Sequence, residues 1–403
     1  MGRSDLNSFS SHEKFQLVAM CDVDGSRRKK ASKKFPSART YKDWRELLEK
    51  SARNLDSINV TVPDHMHAPI TMTALRNGLH VYCQKPLCHD IFEAKQVTAE
   101  AAKRPDQVTQ MGIQCHSYPQ YRKAIKMVQW GMIGKVKEVH SWSDKSWVGK
   151  KDELETIPDQ RDPVPGDLAW DLWLGTAPER PFVKGLYHPS DWRRWIDFGT
   201  GTQGDMAAHI MDPVFAALDL TQPRWVMSYH TPPYAATYSG NNKIQHRFPR
   251  TPYTAGDIDW FWYDAGANPD TRAWPLENRP NQGSMFIGEK GYLLLPHVGG
   301  PQPLPRGQFI KDLKRFATEV ELPNTPNHYH QFINAALGKG ETTAPFSYSG
   351  PLTQTVLMGT VINRCPKEKL IWDAEACRFT NKPEVNQYLR RSYRAGWEVL
   401  MAA

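Results

Sequence analysis

Apolar and polar positions in the first third of the chain switch repeatedly between a strand period and a helix period. Phe15-Gln-Leu-Val-Ala-Met-Cys-Asp22 is a mostly apolar run closed by an acid, which predicts a buried strand, and Gly25 to Lys34 then predicts a basic helix. Asp43 to Glu49 is a short amphipathic helix, and Asp56 to Val62 a strand halted by Pro63. Ala68 to Asn77 is a helix closed by Gly78, His80 to Cys83 a strand ended at Pro86, Ile91 to Lys103 a helix, and Gln107 to Gln114 a strand. Such βαβα alternation predicts a parallel sheet with helices on both faces.

The pattern changes near Ser117. A helix, Gln120 to Trp130, leads into Val136 to Trp147, which alternates like a strand with one exposed face. Lys150 to Gly204 is rich in Pro, Trp and Gly and predicts long ordered loops, followed by a helix from Asp205 to Leu218. Strands are expected at Trp225–Tyr229, Ile258–Tyr263, Ser284–Ile287 and Tyr292–Leu295, loops at Gly266–Gln282 and Gly299–Gln308, helices at His328–Leu337 and Leu352–Cys365, and a tail helix from Glu384.

Composition narrows the class. A chain of 403 residues exceeds the ~250–300 at which single cores stop growing, so two or three domains are expected. No apolar run approaches the ~20 residues of a membrane span, and Met1 to Ser11 is polar. The net charge of +8 is spread along the chain, and its one cluster, Arg27–Lys30 with Lys33–Lys34, reads as a solvated helix face, so no nucleic-acid partner is expected. Scattered positive charge suits anionic cofactors and acidic sugars. The six cysteines include no CxxC pair and read as small buried hydrophobes.

A doubly wound sheet binds its ligand at the carboxyl ends of its strands, and Asp22 stands at such an end. In dinucleotide folds an acid there binds the adenosine ribose, about 20 residues after the glycine fingerprint. Counting back from Asp22 reaches Gly2. Met1-Gly2 then ends a GxGxxG loop, with Arg3 to Ser8 beginning the helix that faces the pyrophosphate. The first strand and the earlier glycines are expected upstream of Met1 in the natural gene product, because losing a central strand would expose two strand edges. From this chain alone a cytoplasmic location is expected, and a periplasmic one if such an extension carries an export signal.

Four segments resemble the Gfo/Idh/MocA oxidoreductases, the family of glucose–fructose oxidoreductase and inositol dehydrogenase. Cys21-Asp-Val-Asp24 resembles the ribose-binding strand end. Thr61-Val-Pro-Asp-His-Met-His67 resembles the TPxxxH turn, with Val62 between Thr and Pro. Val81-Tyr-Cys-Gln-Lys-Pro86 resembles the EKP motif, with Gln84 in place of the usual Glu. Gly204-Asp-Met-Ala-Ala-His-Ile-Met-Asp212 resembles the GDxxxHxxD helix. The resemblance implies an α/β fold: a Rossmann-type parallel sheet, truncated at its start, over residues 1–117, and a substrate and oligomerisation domain with a large open, mainly antiparallel sheet over 118–403. It implies NAD held by Gly2, Asp22, Thr61, Pro63, Asp64, His67, Gln84, Lys85 and Gln114. Asp22 favours NAD over NADP, since it would repel a 2′-phosphate, although Arg27 and Arg28 leave NADP open. A homo-oligomer is expected from the family.

Hydride transfer from a sugar carbon needs a base for the hydroxyl proton and a group that stabilises the developing alkoxide. The resemblance assigns His209 as general base, Lys85 as alkoxide stabiliser or alternate acid/base, and Asp205, four residues before His209 on one helix face, as partner. A metal at His209 and Asp205 with His116 or His188 is not expected, because the motifs already account for both residues. Tyr187, Trp192 and Arg194, with His116 and His209, are the substrate candidates: aromatic rings suit sugar C–H faces, and an Arg grips a carboxylate bidentately, which admits a uronic acid. Three functions follow: net sugar oxidation or reduction, redox-neutral glycoside cleavage with retained NAD, or a sugar-binding homologue without redox activity.

Overall fold

The computed structural model describes residues 1–147, 157–230, 232–324 and 327–398. Helix α1 (Gly2–Phe9) precedes strand β1 (Ala19–Cys21). Next come α2 (Gly25–Lys34), β2 (Arg39–Tyr41), α3 (Trp44–Ser51), β3 (Ser57–Val60), α4 (His67–Arg76), β4 (His80–Gln84), α5 (Ile91–Ala102) and β5 (Thr109–Gly112). All five strands pair in parallel, β1 with β2 and β3 with β4 with β5. Among the described residues no strand joins the two groups. Local chemistry sets the helix starts: the Asp24 carboxylate accepts from the Ser26 and Arg27 amides at α2, and Asp90 with Glu93 forms a reciprocal capping box at α5.

Helix α6 (Pro119–Trp130) ends at Gly131, whose φ of 85° gives the left-handed cap. Strand β6 (Val136–Ser143) follows, then α7 (Trp170–Leu174), α8 (Ala208–Ala217), β7 (Trp225–Ser228), β8 (Asn242–Phe248), β9 (Thr254–Asp264), β10 (Gln282–Gly288), β11 (Tyr292–Pro296) and β12 (Gln302–Leu304). The chain closes with α9 (Ile310–Glu319), α10 (His328–Ala336), α11 (Phe346–Ile362), β13 (Lys369–Asp373) and β14 (Arg378–Phe379). Nine strands form one sheet in the order β12-β11-β10-β6-β9-β8-β7-β13-β14, in which only β6 and β9 run parallel. Period-two alternation splits its faces. Ile258, Trp260 and Trp262 enter the main core under the helices, whereas Phe261 and Tyr263 stack with His140 on the opposite face.

Several expected elements differ in the structure. Gly299–Gln308, expected as a loop, contains β12, and Pro383–Leu389 forms 3₁₀ turns in place of a tail helix. Part of the loop stretch expected from Lys150 lies outside the described residues, as does the end of the chain from residue 399.

The early strands lean on late segments. Helix α11 packs against α5. The chain at Thr342–Phe346 runs along β5, with the Met111 amide donating to Ala344 O at 2.9 Å and Thr342 Oγ1 to Thr109 O at 2.8 Å. Arg391 reaches back to Glu93 at 2.7 Å. Among the described residues no helix is long and apolar enough to cross a membrane.

His246 on β8 is fully enclosed, its ring 6.3 Å from Phe248 and 6.5 Å from Trp260, and burial pushes it down to about 4 from 6.5. A folded pKa below the unfolded one contributes stability above pH 6.5 that is lost as pH falls through 4. His246→Leu is therefore expected to gain on wild type by about 2 kcal/mol more at pH 4.5 than at pH 7, read from paired denaturant melts. An equal difference at both pH values would contradict this.

Candidate active site

Lys85 follows β4 directly, where the buried strand ends and Pro86 stops the ladder. Its ammonium donates to Asp205 Oδ1 and to Asp205 O, both at 2.6 Å. The carbonyl is available because Gln203–Ala207 is a π-helical turn leading into α8, rather than the start of the regular helix expected from Asp205. Gly204 lets that turn close on itself: a Cβ there would overlap the Thr200 hydroxyl, which donates to Asp64 Oδ2 at 2.6 Å. On the far side Asp205 Oδ2 accepts from Lys145 Nζ at 2.5 Å and Trp147 Nε1 at 2.6 Å, and Arg193 Nε lies 3.7 Å from Oδ1. Burial opposes ionisation of Asp205, but Lys85 and Lys145 outweigh it and hold the carboxyl well below its usual range.

His209 stands four residues on and is buried, with Nδ1 lacking a hydrogen-bond partner. Burial, then Lys85 and His297, push its pKa well below the usual imidazole value, so the ring is neutral and able to accept a proton near pH 7. Its ring lies 5.8 Å from that of His297, at the end of β11, and His297 Nδ1 meets Tyr121 Oη at 2.7 Å. Helix α8 is held by a polar relay from the sheet: Trp260 Nε1 donates to Ser141 Oγ at 2.9 Å, Ser141 meets Ser284 at 2.7 Å, and Ser284 Oγ donates to Ile210 O at 3.3 Å.

The structure thus brings Lys85, Asp205 and His209 together. His116 is buried one turn away, its Nδ1 2.8 Å from Asp212 Oδ1, which also accepts from Tyr348 Oη at 2.6 Å; this His braces α8. Asp22 keeps its place at the end of β1, accepting from the Asp24 amide at 2.9 Å, with burial raising its pKa. Gly2 opens α1. Pro63 and Asp64 form the turn after β3. His67 is buried with Nδ1 2.8 Å from Pro86 O and Nε2 3.0 Å from Val62 O, a pair of acceptors that an imidazolium satisfies. Burial opposes that charge, but Cys83, Asp64 and the Pro86 carbonyl raise the pKa to about 9.

Thr61 Oγ1 donates to Asp5 Oδ2 on helix α1 at 2.7 Å and Gln84 Nε2 to the same oxygen at 2.8 Å, with Tyr329 Oη on Oδ1 at 3.1 Å, which leaves Gln84 Oε1 without a partner. The substrate candidates need correction. Tyr187 is packed among Trp170, Trp173, Trp195 and Phe198, and Trp192 is buried in the same cluster, so these rings are core rather than a sugar platform. Arg194 pairs with Asp191 at 3.4 Å, and it is Arg193 that faces Asp205. His188 lies 3.2 Å from Asp24, away from His209's partners. Lys145 and His297 went unrecognised in the sequence; both carry one signal, a polar residue just past a strand end in a sheet that feeds the site.

Dinucleotide binding fits these residues. The α1 N-terminus offers free amides for a pyrophosphate, Asp22 an acid for ribose hydroxyls, and Gln84 Oε1 and Gln114 Oε1 are buried polar atoms without partners.

A family model described as "Oxidoreductase family, NAD-binding Rossmann fold" matches residues 1–111, and one described as "Oxidoreductase family, C-terminal alpha/beta domain" matches residues 120–231. An inositol 2-dehydrogenase/D-chiro-inositol 3-dehydrogenase of Lactiplantibacillus plantarum is 30% identical over 120 residues, covering 30% of this chain and 34% of that protein. The chain spans about a third to just over half of the length of the curated relatives it matches (34% to 56%). The WlbA dehydrogenase from Bordetella pertussis, solved with NADH and UDP-GlcNAcA, superposes with a TM-score of 0.63 at 13% identity, over 92% of this chain and 95% of that one. An inositol dehydrogenase homolog from Azotobacter vinelandii, solved with NADH and myo-inositol, gives 0.59 at 17% identity over 92% and 93%. At these identities the likeness is one of fold.

Proposed function

Because this chain belongs to the Gfo/Idh/MocA oxidoreductase family, we propose that it transfers hydride between NAD and a hydroxyl-bearing carbon of a sugar or sugar-like polyol. The observation that carries this is the Lys85–Asp205 pair at the end of β4, with the neutral His209 imidazole one turn further on.

Bound NAD supplies the hydride acceptor. Asp22 holds its adenosine ribose, the α1 N-terminus its pyrophosphate, and Gln84 and Gln114 have carbonyl oxygens to offer. Lys85 lies at the carboxyl end of the sheet, where such a cofactor reaches its substrate. An ammonium has three N–H donors; two are spent on Asp205, and the third is left for the substrate oxygen, where it stabilises the alkoxide. His209 takes the hydroxyl proton during oxidation and returns it during reduction. Asp205 stays ionised and fixes the Lys85 head in place.

The test is calorimetric titration of NAD, followed by assay with myo-inositol and a panel of aldoses and glycosides. The expected result is NAD binding and NADH formed in proportion to substrate consumed. Absent NAD binding would end the proposal, and released aglycone without NADH would redirect it to redox-neutral cleavage.

We also propose a homo-oligomer formed through the sheet face away from the helices. Phe261, Tyr263 and His140 stack there, and Tyr229 and Ile371 on that side are 37% and 45% exposed. A monomer mass by light scattering would refute it.

A further inference from the structure

The cations around Asp205 outnumber what the hydride chemistry uses. Lys85, Lys145 and Arg193 all lie within ion-pair distance of this one carboxylate. Among the described residues it is the only carboxylate within that distance of any of the three. Asp64 also faces Lys85 and Arg193, but burial opposes its ionisation and the Thr200 hydroxyl occupies one of its oxygens. His209 and His297 are held neutral, so they add no negative charge and no room for more positive.

Lys85 is the catalytic cation and nearly enclosed, its side chain 9% exposed. Lys145 and Arg193 differ in exposure, with side chains at 38% and 22%. Both are positioned rather than loose. Lys145 Nζ lies 4.9 Å from the Trp147 ring centre, and the Arg193 guanidinium is held between the Trp192 ring at 4.3 Å and the Trp147 ring at 5.5 Å. A stacked guanidinium is pre-oriented to present N–H donors in its plane.

We propose that the substrate is an acidic sugar of the uronate class, whose carboxylate is held by Lys145 and Arg193 while Lys85 and His209 act on a ring hydroxyl. This rests on the hydride-transfer reading above and names the substrate class for the same site. An arriving anion adds a second negative charge to three cations that share one buried carboxylate, whereas a neutral sugar covers Lys145 and Arg193 without adding one. Only the ring carbon is oxidised: one C–H hydride goes to NAD, the hydroxyl proton goes to His209, and the carboxylate is unchanged.

The test uses the full chain with NAD, D-glucuronate and D-galacturonate, and their neutral parents D-glucose and D-galactose. At least one acid should exceed its parent in kcat/KM by about tenfold or more, with the difference mainly in KM and shrinking at high salt. Lys145→Met and Arg193→Met should each collapse that ratio, and Arg193→Lys should restore it only in part. Equal or better use of the neutral parents, or an acid preference untouched by both Met variants, overturns the proposal. Wild-type protein that fails to bind NAD would instead sink the underlying hydride-transfer reading, so calorimetry separates the two failures. Circular dichroism of each variant excludes misfolding as the cause.

Discussion

Lys85→Met is expected to lower kcat by a factor of about 10²–10⁴ while leaving NAD affinity nearly unchanged. In the proposed reaction the ammonium supplies the charge facing a developing alkoxide, and methionine keeps its volume without that charge. The fold should survive, because Asp205 keeps Lys145 and Trp147 as partners. A second consequence separates this from a packing defect. After burial, Lys85 is the largest cause of the depressed His209 pKa, with His297 and Lys145 acting the same way and Asp205 opposing. Removing it lets the His209 pKa rise, so the acidic limb of the residual pH–rate profile should move to higher pH. A variant with wild-type turnover, or with an unmoved limb, would remove Lys85 from this role.

Gln84→Glu is the second change with a large expected effect. Asp5 is fully buried, and burial raises its pKa against hydrogen bonds from Thr61, Gln84 and Tyr329. Gln84 donates its amide hydrogen to Asp5. A glutamate, the residue usual at this motif position, would set two carboxyl groups face to face with one donor lost. The expected cost is about 2–4 kcal/mol in denaturant unfolding, with weaker NAD binding because α1 carries Asp5. Asp5→Asn in the same chain should recover most of the loss, since Asn donates where Asp accepted. Stability unchanged in the single variant would show that the contact does not matter.

These residues also show what a sequence conveys. Lys85, Asp205 and His209 were recognisable because each sits in a short motif and the alternating elements place strand ends at one edge. Asp5 was not, since its importance comes from residues 79 and 324 positions away. Strand β8, Asn242-Lys-Ile-Gln-His-Arg-Phe248, escaped notice because its alternation is carried by few aliphatic residues and its buried His246 looks polar. The tryptophans between 170 and 195 read equally well as a sugar platform and as core, because composition cannot say which way a ring points in a loop. The three-way junction of Lys145, Trp147 and Arg193 on Asp205 is tertiary throughout and has no period to detect.

The return of Arg391 to Glu93 bears on synthesis. The partners are 298 positions apart, so at ~5–20 residues per second the acid waits roughly 15–60 s for its cation while the chain is still on the ribosome. Until α11 and then Arg391 are made, α5 lacks first its packing partner and then its counter-charge. For the same reason the first third of the chain is a poor candidate for transplantation: a fragment cut after residue 117 would carry Asp5 and Glu93 without the Tyr329 and Arg391 that satisfy them.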